Sequence, residues 1–78
     1  MLGVADKIIK VQKELVKLYG YSGYKRMISA MKKRIKKVQE ALEKQGFKIS
    51  ELEYLNYVAK DDTEIPEVRL LAIACMGE

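Results

Sequence analysis

YKRMISAMKKRIKKVQEAL, residues 24–42, is the stretch whose reading decides the fold. Its apolar positions Tyr24, Ile28, Met31, Ile35, Val38 and Leu42 recur at spacings of four and three. That spacing draws a single seam down one side of an α-helix. Lys25, Arg26, Lys32, Lys33, Lys36 and Lys37 fall on the other side, and no acid occurs between Lys25 and Lys37. The stretch therefore reads as a helix that packs by one face and offers concentrated positive charge by the other. Its expected limits are about 22–45, a length of ~35 Å at 1.5 Å per residue. Gly46 supplies the stop.

Upstream, Val4, Ile8, Val11, Leu15, Leu18 and Tyr19 follow the same periodicity, and Ala5, Ile9 and Val16 widen the stripe. A helix over about 4–19 is expected, buried over half its circumference and lined outside by Lys7, Lys10, Lys13, Glu14 and Lys17. Gly20-Tyr21-Ser22-Gly23 separates the two helices, with Gly20 suited to the left-handed position after a helix end and Ser22 to an N-cap. A connection of about four residues implies antiparallel neighbours, so the two helices should form a hairpin.

Downstream, Ser50 and Glu53 have the spacing of a capping box. They open a third helix, about 50–60, whose buried side is Ile49, Leu52, Leu55, Val58 and Ala59. Asp61-Asp62-Thr63 reads as a turn and cap cluster, and Pro66 fits the first turn of a fourth helix over about 64–76. From Val68 to Met76 that helix carries only one charge, Arg69. Such girth suits either the centre of a bundle or a surface between two copies. A chain this small has little material to surround it, so a homodimer through Val68, Leu70, Leu71, Ile73 and Met76 is the expectation. The fold class is all-α: a small helical bundle in one domain, 1–78, made of an antiparallel helical hairpin and two shorter helices.

Composition narrows the chemistry. There is no His and a single Cys, Cys75, which cannot assemble a zinc site or close an intramolecular disulfide. No metal or other cofactor is expected, and the cysteine usage fits a cytoplasmic setting. The N-terminus has no sustained apolar run before Asp6, and nothing approaches a membrane span, so neither a secretory signal nor a membrane partner is expected. The tyrosines Tyr19, Tyr24, Tyr54 and Tyr57 suit the rim of a small core, with Tyr21 in the loop least explained by packing.

Catalysis is not expected either. General acid–base work calls for His or for carboxylates shifted by burial. Asp61, Asp62, Glu64 and Glu67 instead gather at a wet turn, where helix capping accounts for them, and Cys75 reads as a small apolar filler. Gly20-x-x-Gly23 lacks the strand and Lys of a phosphate cradle.

Charge is distributed unevenly. Residues 1–48 hold 13 Lys or Arg against 4 Asp or Glu, which is +9, and residues 49–78 hold 2 against 7, which is −5, together the net +4. A basic face of this kind can neutralise several nucleic-acid phosphates, and five contacts would give a log–log salt slope of about −4 to −5 on duplex DNA. The expected function is a small regulatory protein that binds nucleic acid through Lys25, Arg26, Lys32, Lys33, Lys36 and Lys37, with Tyr21 as a base stacker. Base-specific reading by a helix-turn-helix is a poor fit, because the fourth helix offers only Arg69 to base edges. The competing expectation is a protein-interaction module, an adaptor or inhibitor docking on an acidic or apolar partner.

Overall fold

The computed structural model describes residues 3–78. The chain is all-α, a small bundle with three helices and no strand among the described residues: α1 Val4–Glu43, α2 Glu51–Ala59 and α3 Pro66–Cys75. The two expected N-terminal helices, together α1, meet at a single residue. Gly20 alone departs from helical geometry inside α1, with φ 76° and ψ 161°. That conformation is open in practice only to glycine. A straight helix of 40 residues would run ~60 Å, whereas the longest dimension of the molecule is 39 Å. The bend divides α1 into a first arm, 4–19, and a second arm, 21–43.

The break is thus one residue wide rather than the expected four-residue connection. Tyr21, Ser22 and Gly23 are helical, and Ser22 caps nothing. A residue that reverses the sign of φ turns the chain by itself, so the extra loop residues are not needed and their amides join the second arm.

The second arm follows its seam closely. Tyr24, Ile28, Met31 and Ile35 are buried, and Val38 packs on them partly exposed. The arm ends at Glu43, and Gly46, at φ 86°, lets the chain turn back so that Phe47 N–H reaches the Leu42 carbonyl. The first arm is less covered than its sequence suggests. Val11 and Leu15 are buried and Ile8 and Val16 half-buried, but Val4, Ile9, Leu18 and Tyr19 are exposed. The broad stripe has one principal neighbour, and its flanks and ends remain in solvent.

That neighbour is the C-terminal half of α3. Gln12 Nε2 donates to the Ala74 carbonyl at 3.0 Å, and the second arm's Tyr24 hydroxyl donates to Glu78 at 2.6 Å. Gly77 sits so close to the first arm that a Cβ there would lie 2.6 Å from Gln12 Nε2 and 2.7 Å from Ile8 Cγ2. The end of α3 therefore wedges against both arms, while its start is tied to the second arm by Arg34 and Glu64 at 3.3 Å. α2 packs on the other side of α3 through Tyr54, Leu55 and Val58.

α3 is accordingly the centre of the bundle. Leu71, Ala72, Ala74 and Cys75 are buried, and Val68, Leu70, Ile73 and Met76 are half-buried against the core. Of the two explanations for its apolar girth, the central position suffices. Leu71 in particular is enclosed by its own chain and is not on an exposed face.

Local signals elsewhere hold with two exceptions. Ser50 and Glu53 close the capping box, with Ser50 Oγ accepting from Glu53 N–H at 3.0 Å and Glu53 accepting from Ser50 N–H at 3.4 Å. Pro66 occupies the first turn of α3. The first exception is Leu52, expected on the buried side of α2 but 56 % exposed, its place in the core taken by Tyr54. The second is the acidic turn. Asp61 Oδ1 accepts from the backbone and hydroxyl of Thr63, and the residue before α3 is Ile65, with no side-chain cap. Asp61 thus stabilises its own turn rather than the helix end, and its carboxyl is held below the ordinary range by the Thr63 hydroxyl and amide. The tyrosines also sort more sharply than a rim position implies. Tyr24 and Tyr54 are inside, Tyr57 is exposed and Tyr19 is half in water.

Candidate nucleic-acid interface

The second arm places its cations by simple rotation, about 100° per residue. Arg26, Lys33 and Lys37 fall directly opposite the buried seam, spread over ~16 Å of helix axis, and all are exposed. Lys25, Lys32 and Lys36 form a second row on the flank nearest the end of α3, and they too are exposed. Tyr21 stands at the head of this second row, one turn before Lys25. The structure thus gathers all seven candidate residues on one continuous surface.

Five of the six cations have no ion-pair partner among the described residues. Lys25 is the exception: its Nζ lies 3.5 Å from Glu78 and 5.6 Å from the centroid of the Tyr21 ring. Glu78 also accepts from Tyr24, and that bond, followed by the attraction of Lys25 and Lys32, holds its carboxyl below the ordinary range. The C-terminal acids therefore reach the basic face at one corner only.

Arg34 interrupts the basic run at residues 32–37 in an instructive way. Its angle carries it to the opposite flank, where it pairs with Glu64 and lies 6.0 Å over the ring of buried Tyr54. It packs against the fold, while the four lysines beside it stay on the surface. Of the other acids, Asp62 lies 3.9 Å from Arg69, while Glu40 and Glu43 stand exposed at the C-terminal end of the basic face without an ion-pair partner among the described residues.

Lys7, Lys10, Lys13 and Lys17, expected with Glu14 on the outer side of the first arm, are exposed there. Sequence reasoning missed Glu78, because no periodic signal ties residue 78 to residues 24 and 25.

Cys75 lies behind this corner, buried, with its thiol pushed up to about 11 by its enclosure. It lines the interior and does not reach the basic surface. The residues expected at a dimer interface, Val68, Leu70, Leu71, Ile73 and Met76, all pack within the chain to the extents given above. No helix among the described residues is long and apolar enough to cross a membrane.

No family model matches this chain, and no curated protein or solved structure shows significant similarity to it.

Proposed function

We propose that the protein is a small cytoplasmic regulator that binds nucleic acid through the outer face of the second arm. The observation that carries this reading is five exposed cations, Arg26, Lys32, Lys33, Lys36 and Lys37, on one helical segment and without ion-pair partners among the described residues. Unpaired, closely spaced like charges repel one another across a helix surface. A polyanion relieves that repulsion and releases its own counterions as it binds. The cations are long, exposed and mostly lysine, so they meet phosphates as point charges rather than reading base edges. Binding is therefore weakly dependent on sequence.

The test is binding to a heterologous duplex at low salt, before and after Lys32, Lys33, Lys36 and Lys37 are replaced together by Gln. The expected result is a uniform loss of affinity on every sequence tried. Undiminished tight binding by the variant, or no binding by the unaltered protein, removes the reading.

A second reading, a protein-interaction module, is favoured by the uncovered flanks of the first arm. Val4 is 75 % exposed and Leu18 71 %. A groove of about 290 Å³ opens between the start of this arm and α2, lined by Val4, Ile8, Ala59, Ile73 and Met76. If copies associate into a homodimer, this arm rather than α3 is the surface free to do it. A sedimentation mass that stays monomeric at all concentrations would dismiss the dimer.

A further inference from the structure

Tyr21 and Tyr24 stand within one turn of the same helix, yet their surroundings are opposite. Tyr24 is 2 % exposed, part of the core, with its hydroxyl bonded to Glu78. Tyr21 is 65 % exposed and belongs neither to the core nor to the residues packed on it. The Lys25 ammonium lies 5.6 Å from its ring centroid and interacts with its hydroxyl. Packing thus gives no reason for a large aromatic side chain at this position. The bend does give it a place: the first arm stops at Tyr19, Gly20 turns the chain, and Tyr21 is left at the elbow as the first residue of the second arm.

From that elbow a row runs down the helix: Tyr21, then Lys25, Lys32 and Lys36 at intervals of four, seven and four residues. It covers ~22 Å, with an aromatic platform at one end and two cations free of carboxylate partners toward the other. We infer that this row is a track for an unpaired strand, DNA or RNA, with Tyr21 stacking against a base while Lys32 and Lys36 hold phosphates. The inference rests on the phosphate-binding reading of the same face and adds the class of nucleic acid. A ring can take up a base only where the base's own face is free. Inside a continuous duplex both faces are covered by neighbouring pairs. Tyr21 therefore adds affinity for single strands and nothing for closed duplex. Every base has such a face, so the gain carries no sequence preference. The Lys25 ammonium, 5.6 Å from the ring centroid, keeps positive charge beside the platform.

The experiment measures anisotropy of labelled oligo-dT and oligo-rU, with covalently closed circular duplex DNA as the unstrained comparison, for the unaltered protein, Tyr21→Ala and Tyr21→Phe. Tyr21→Ala should weaken binding to the single strands by roughly 5- to 150-fold, the range set by loss of one base–aromatic stack. Its affinity for the closed duplex should stay within about twofold, since no phosphate contact is removed. Tyr21→Phe, which keeps the ring, should bind as the unaltered protein does. A loss confined to oligo-dT or to oligo-rU supports the track and assigns its sugar. Equal losses on single strands and duplex, or no loss at all, overturn the inference while leaving the phosphate-binding face intact. Absence of binding to all three ligands by the unaltered protein overturns both. Because Tyr21 lies outside the core, unchanged helical circular dichroism should accompany each variant.

Discussion

The Tyr24 hydroxyl donates a 2.6 Å hydrogen bond to the side-chain carboxylate of Glu78, joining the buried seam of α1 to the residue just beyond α3. Burial and this bond hold the phenol neutral to well above its ordinary range, and the same bond holds the Glu78 carboxyl below its own. The pair closes the corner where the bend of α1 receives the end of α3.

Tyr24→Phe should therefore cost about 1 kcal/mol in urea unfolding, less than a fully buried charge-assisted bond because Glu78 is partly in water. The pH dependence has a definite sign. A carboxyl with a lowered folded value adds stability above the ordinary range, near pH ~4.3, and loses it as pH falls through the folded value. The acid limb of the stability curve should accordingly be shallower in Tyr24→Phe than in the unaltered protein. An identical acid limb would mean that the bond does not govern Glu78.

The alkaline limb belongs first to Cys75. Its buried thiol is raised from 9.0 to about 11, so the unfolded chain ionises before the folded one. Stability from this group is complete below about pH 9 and is lost as pH rises toward 11, by about 2–3 kcal/mol in all. Tyr24 acts in the same direction from its ordinary value near 10 upward. Urea unfolding at successive pH values should show the first part of the decline vanish in Cys75→Ala and the later part persist. An undiminished early decline in that variant would place its source elsewhere.

Gly20 and Gly23 should respond to alanine with opposite signs. At Gly20 a Cβ meets nothing within 4 Å, but the φ of 76° is strained for any L side chain. Gly20→Ala should destabilise by about 1–3 kcal/mol through backbone strain alone. Gly23 is inside the second arm, and its Cβ would rest 3.4 Å from that of exposed Tyr19. Gly23→Ala should stabilise by about 0.5–1 kcal/mol through helix propensity. Thermal melts of the two variants check both, and equal shifts in the same direction would contradict a bend confined to Gly20.

The contrast between those glycines marks how far the sequence could be read. The seam from Tyr24 to Ile35, the Ser50–Glu53 box and Pro66 at the start of α3 are local patterns, each decided within a turn or two of helix, and each was legible. The width of the break was not, since Gly20-Tyr21-Ser22-Gly23 is equally compatible with a loop and with one reversed φ followed by helix. Burial of the first arm was overstated for a related reason. Periodicity shows which side chains share a stripe, whereas the number of neighbours covering Ile9 or Leu18 depends on where α2 and α3 lie. The candidate surface divides the same way. The cations' common face follows from helical rotation, while the turning of Arg34 toward Glu64 and the arrival of Glu78 at Lys25 are long-range events with no sequence spacing to announce them.

The salt dependence of duplex binding tests the central claim, a phosphate-binding outer face, most directly. For the unaltered protein the log–log slope of affinity against salt should be about −4 to −5, and with Lys32, Lys33, Lys36 and Lys37 changed together to Gln it should flatten by about 3 to 4. A slope that the four substitutions leave unchanged would place the contact elsewhere and contradict the account.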